Sequence, residues 1–189
     1  MPLSHVSKIF AVSDCKIAKL TADPAGGSAT YATAIDVPGI KEMTLSGSVE
    51  SKELRGDNVQ LDVTTVPGGL TVAVSHAKLS LDVLAVLLGG TVTDSGTTPA
   101  MKAAYVEALG NTMNYFRVEG LTPSNGADSI GGDLHFTLHK CILSSYPDLG
   151  FAEEDYRIVS FEASAVYLNA TGNKRMTIDI NETAVAAAG

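Results

Sequence analysis

Residues 39–90, GIKEMTLSGSVESKELRGDNVQLDVTTVPGGLTVAVSHAKLSLDVLAVLLGG, decide the fold. Side chains on a strand alternate between faces with period two, and three segments here follow that period. The first puts Met43, Leu45 and Val49 on one face and Glu42, Thr44, Ser46, Ser48 and Glu50 on the other. The second places Val59, Leu61 and Val63 inward, with Asn58, Gln60, Asp62 and Thr64 outward. The third sets Leu70, Val72 and Val74 against Thr71, Ala73 and Ser75. KELRGDN (residues 52–58) and PGG (67–69) read as the two turns between them. The outer face is built almost wholly from small hydroxyls and acids. It is either a solvated sheet face or a smooth wall along which something polar slides.

The stretch closes on a short helix. Ser80 is a good N-cap, Asp82 sits in the first turn where the helix dipole favours an anion, and Gly89-Gly90 stops it. Leu81, Val83, Leu84, Ala85, Val86, Leu87 and Leu88 leave it almost no polar face, so it must be buried on most sides.

Outward from this block the strand discipline persists. Leu134, Phe136 and Leu138 alternate with His135, Thr137 and His139. Val159, Phe161, Ala163, Ala165 and Tyr167 alternate with Ser160, Glu162 and Ser164, and Met176, Ile178 and Ile180 with Thr177, Asp179 and Asn181. Turn chemistry separates the segments at residues 24–28, 38–39, 123–126, 131–132 and 172–173. The pattern predicts a mainly β chain, an antiparallel sandwich or barrel with one short flanking helix. Residues 99–109, PAMKAAYVEAL, carry helix-favouring residues, and their own pattern leaves helix and strand both open. No linker, repeat or low-complexity segment splits the chain, so residues 1–189 are expected to form one domain.

The 189 residues are 45% apolar, enough for a real core, and only 18% charged. A net charge of −8 with no basic cluster argues against gripping nucleic acid through its phosphates. An acidic surface can still handle DNA by repelling it, which helps if DNA must pass. The first residues lack a signal-peptide pattern and no apolar run could span a bilayer, so no membrane partner is expected. Cys15 and Cys141 are expected as reduced, buried small hydrophobes.

The chemistry-bearing types do not assemble into an active site. His135, His139 and Cys141 share a strand face, but residues i and i+4 on a strand stand about 13 Å apart, too far to hold one ion. Packing is the expected role, and no metal or cofactor is expected. Arg55-Gly56-Asp57 is a tripeptide used for display elsewhere; before Asn58 it reads as turn chemistry. The acids of Glu153-Glu154-Asp155, and Glu50 with Glu53, lack an acid/base partner. Nucleophile-elbow, phosphate-loop, zinc-protease and dinucleotide motifs are absent from the sequence. No catalytic residues, and no enzyme, are expected.

Taken in order, the KELRGDN turn, the PGG turn, the HAKLSLD helix and LGG resemble the core of the major tail protein (tail tube protein) family of long-tailed bacteriophages. The resemblance resumes at YFRVEG (115–120), GDLHFTLHKC (132–141), YRIVSFEASAVYL (156–168) and RMTIDINETA (175–184). It spans most of the chain after about residue 37, and it implies that residues 99–109 are extended, a strand with Tyr105 and Leu109 on one face. It implies a virion structural protein, assembled in the bacterial host cytoplasm, whose copies form homo-hexameric rings stacked into a helical tube. Head-to-tail stacking of this kind grows open filaments. Implied partners are further copies of the chain, other tail proteins such as tape measure, tail terminator and tail tip, and DNA passing transiently during ejection. Under this resemblance Glu42, Thr44, Ser46, Ser48, Glu50, Asp62 and Thr64 would line the lumen. Lys52, Glu53, Leu54, Arg55, Gly56, Asp57 and Asn58 would form a loop on the neighbouring subunit, a reading level with that of a plain turn. The tube protein of a contractile injection or secretion system shares the implied fold. A β-sandwich binding module, of adhesin or carbohydrate-binding type, is the alternative from a different class.

Overall fold

The computed structural model describes residues 5–9, 11–123, 132–151, 153 and 156–187. The turn signals at residues 124–126 and 131, and the acids Glu154 and Asp155, lie outside them. The described residues form eleven strands and one helix: β1 Asp14–Ala22, β2 Thr30–Tyr31, β3 Ile35–Asp36, β4 Ile40–Gly56, β5 Val59–His76, α1 Leu81–Leu88, β6 Thr91–Ser95, β7 Lys102–Val106, β8 Phe116–Pro123, β9 Asp133–Leu143, β10 Val159–Ala165 and β11 Met176–Ile180. Every pairing is antiparallel. The main sheet runs β2-β1-β8-β9-β10-β5-β4, with β3 added to β1 and β11 to β9; β6 and β7 form a separate pair. Neither sheet closes into a barrel among the described residues.

One face of the main sheet and α1 form the core. Ile17, Val72, Val74, Phe116, Val118, Leu138 and Phe161 from the sheet meet Val83, Leu84, Val86, Leu87 and Leu88 of the helix. The helix lies against β1, β3, β6 and β7. The Ser80 hydroxyl accepts from the Val83 N–H, and Gly89, at φ 79°, turns its own N–H back to the Ala85 carbonyl. Asn114 adds an amide donor to the carbonyls of Ala85 and Val86 (3.3 and 2.9 Å), covering two acceptors that a helix end leaves open. The expected helix is therefore present, capped as its ends required.

The expected three strands are two. PGG is no turn: β5 runs through it as one 18-residue strand beside the 17-residue β4. Gly47 pairs with Leu70 and Val49 with Pro67, so Ser48 alone opposes Gly68 and Gly69. This is a β-bulge, in which one extra residue bends the ladder without ending it. In KELRGDN the chain reverses only at Asp57 and Asn58, with φ of 49° and 64°. That left-handed pair is the two-residue hairpin turn in which Asp and Asn are favoured. Residues 52–56 belong to the ladder.

Other expectations shift for reasons of register. Residues 99–109 contribute β7, a strand as the resemblance implies; it stops at Val106 and leaves Leu109 exposed. β10 ends at Ala165, so Tyr167 lies beyond it and is exposed. Met176 and Ile178 point to the expected side of β11 but are exposed there among the described residues. Cys141 does not share a face with His139. Phe116 pairs with Cys141 and Val118 with Leu138, and the extra residue in β9 turns Cys141 to the core side. Both thiols are free and fully buried, and burial pushes that of Cys141 up to about 12.

Candidate functional site

Beyond the bulge, the β4–β5 hairpin leaves the body. From Ser48 to Asp57 it reaches on the order of 30 Å at the usual rise per residue. Residues 49–66 are exposed throughout apart from half-buried Gly56. Alternation holds along β4, but the register shift between Leu54 and Arg55 puts Val59 opposite Gly56 and Val63 opposite Glu53, on opposite sides of the ladder, and among the described residues the arm's apolar side chains stay exposed. Val49 is 70% exposed, Leu61 63% and Leu54 61%, with Val59, Val63 and Val66 also open. So many large apolar side chains exposed on both sides of one hairpin are the mark of a surface that binds another. Backbone pairing across the ladder, an Arg55–Glu53 ion pair at 2.9 Å and a Ser51–Thr65 hydroxyl contact order the arm. The seven residues expected as an inter-subunit loop are thus the tip and one flank of a β-arm.

The expected lumen residues are brought onto one face. Cross-strand partners share a face, and Glu42, Thr44 and Ser46 lie opposite Ser75, Ala73 and Thr71, on the side away from the core. Past the bulge the same side carries Glu50 opposite Val66, Lys52 opposite Thr64, and Leu54 opposite Asp62. The body section is acidic and hydroxyl-rich as expected. The arm section interleaves its acids with Lys52, Leu54 and Val66.

The long-range pairing adds residues that local reading missed. β10 lies beside β5 with Ser160, Glu162 and Ser164 opposite Ser75, Ala73 and Thr71, extending the face by one strand. Ser144 reaches Ser164 hydroxyl to hydroxyl at 2.8 Å, and a bridge brings Asp148 beside Ser160. Glu162 and Asp148 are exposed and join Glu42 as acids of this wall. Alternation in residues 159–165 showed Glu162 to be outward; only the partnership of β10 with β5 shows which outward surface it shares.

The imidazoles have separate partners. His139 Nε2 lies 2.7 Å from the Thr177 hydroxyl, and burial, then Lys174 and Arg117, hold its pKa low. His135 sits between Glu119 and Asp133 under residues 181–187.

No protein-family model matches the chain, and no curated protein matches it. Among solved structures, the tube-terminating cap of the anti-feeding prophage is similar, with a TM-score of 0.45 and 11% identity over 96% of this chain and 97% of that one. A chain of the anti-feeding prophage baseplate is similar at a TM-score of 0.39 and 10% identity, over 95% of this chain and 97% of that one. Likeness this low carries no functional conclusion.

Proposed function

We propose that the chain is the structural subunit of a phage tail tube. Copies join into hexameric rings, the β4–β5 arm of each lies on a neighbouring copy, and the rings stack into a conduit for DNA. The acid and hydroxyl face of β4, β5 and β10 forms the inner wall, where repeated carboxylates repel phosphates so that DNA slides without sticking. The work done is passage and not a reaction.

The observation that carries this reading is the arm, an ordered hairpin whose apolar side chains stay exposed among the described residues. The order of sequence motifs supplies the kind of assembly. Negative-stain electron microscopy of the purified protein tests it, with rings or tubes as the expected result. Removing residues 55–57 should leave a folded protein that forms neither. A protein that stays monomeric at every concentration, or tubes unaffected by the deletion, would overturn the proposal.

A further inference from the structure

Residues 181–187 lie as a strap over the far end of the non-core face and cover charges that the assembly surface does not use. Asp133 accepts at one carboxylate oxygen from the Asn181 amide and at the other from the Val185 N–H, both at 2.8 Å. Lys16 Nζ donates to the Ala187 carbonyl at 3.2 Å. Between them, His135 Nε2 is 3.0 Å from the Val185 carbonyl oxygen and 3.3 Å from Asp133 Oδ1, while Nδ1 is 3.1 Å from Glu119 Oε1. Glu119, Asp133 and His135 are all buried.

A neutral imidazole has one donor nitrogen and one acceptor. Here both nitrogens face oxygens, and a backbone carbonyl and ionised carboxylates can only accept. Neither neutral tautomer satisfies the site; only the doubly protonated ring donates on both sides. A buried acceptor left without its donor is destabilising. We propose that the His135 imidazolium is a pin that fastens residues 181–187 to the sheet, and that deprotonation of the ring releases the strap.

The charges around the pin fit this role. From β8 comes Glu119, whose second oxygen lies 3.8 Å from Arg117 Nη2; from β9 comes Asp133. β11 contributes exposed Asp179, in register with His135, and β1 contributes Lys16, in register with Glu119. Burial alone would lower the ring's pKa, but Glu119 and Asp133 outweigh it and hold the pKa above the ordinary histidine value. The stabilisation is therefore complete below that ordinary value and is lost as pH rises through the elevated one. Release would uncover two more carboxylates on the non-core face.

The test is ring nitrogen NMR on the intact protein together with hydrogen exchange of the strap amides, corrected for intrinsic rates. Both His135 nitrogens should be protonated at about pH 6, and the Val185 amide should exchange at least about tenfold faster, after correction, once the ring has titrated. H135Q should make strap protection independent of pH, while H139Q should leave the wild-type dependence in place. A neutral His135 ring at pH about 6, or Val185 protection that does not follow the ring's titration, overturns the proposal. Should H135Q not fold, the wild-type measurements decide alone.

Discussion

The guanidinium of Arg175 donates from Nη1 to the carbonyl oxygen of Gly68 at 2.8 Å. The bond ties the bulge where the arm leaves the body to the segment that opens β11. The same guanidinium stacks on the Tyr167 ring, 4.8 Å from its centroid, so the brace is held from two sides. Arg175→Ala should keep the fold, lose about 1 kcal/mol, and raise amide exchange around Gly69 and Leu70 with little change in β8 and β9. Arg175→Lys keeps a donor but loses the planar stack, and should fall between the two. Unchanged exchange at the arm base in the alanine variant would show that Arg175 braces nothing.

Two adjacent glycines in the bulge should respond differently to the same change. A Cβ on Gly68 would stand 2.6 Å from the Ser48 hydroxyl oxygen and 3.1 Å from its carbonyl oxygen, whereas a Cβ on Gly69 meets the hydroxyl at an ordinary 3.7 Å. Gly68→Ala should cost about 1–3 kcal/mol through forced displacement of β4. Gly69→Ala should stay within about 0.5 kcal/mol. Thermal denaturation of the pair measures the difference, and equal melting temperatures would refute it.

Acid should loosen a contact far from the arm. Asp23 binds Lys140 Nζ at 2.6 Å and accepts from the N–H groups of Asn169 and Ala170 at 2.9 Å. Burial alone would raise its pKa, but these partners outweigh it and hold the carboxyl below its ordinary value. A lowered carboxyl contributes fully above the unfolded value, about 4, and the contribution is lost as pH falls through the folded one. Urea midpoints of the wild type should drop over that interval. Asp23→Asn, weaker at neutral pH, should drop less; parallel acid limbs would exclude this cause.

Charge reversal on the wall tests the passage reading. Replacing Glu42, Glu50 and Asp62 together by Lys should permit assembly but slow DNA ejection, most strongly at low salt where screening is weakest. The interleaved Lys52 makes the arm section the weaker contributor, so Glu42→Lys with Glu162→Lys should slow ejection more than Glu50→Lys with Asp62→Lys. Ejection at the wild-type rate in every variant would remove the acid wall from the mechanism.

The class of fold and the helix were legible because their signals are local. Alternation, a Ser cap and a Gly stop act within a few residues. What was not legible depended on partners distant in sequence. Pro67, Gly68 and Gly69 carry turn chemistry, and only their pairing across from Val49 and Ser48 makes them a bulge. At Leu61 and Val63, as at Val49, alternation states which face is apolar but not whether anything covers it. Glu162 was legible as an outward acid, while its place on the wall required the pairing of β10 with β5.

The arm also sets the order in which the molecule can form. Its two strands are joined by two residues, so they can find each other on the microsecond scale of hairpin closure. The core has no such shortcut: Ile17 must meet Val118, and Val74 must meet Phe161, across long stretches of the chain. Contacts so distant in sequence close slowly. On a ribosome the sticky hairpin is therefore complete while the body that carries it is still missing the strands from β8 onward. Crowded nascent chains could join arm to arm before either has a core, and the charges of Lys52, Glu53, Arg55 and Asp62 along the hairpin oppose that premature meeting.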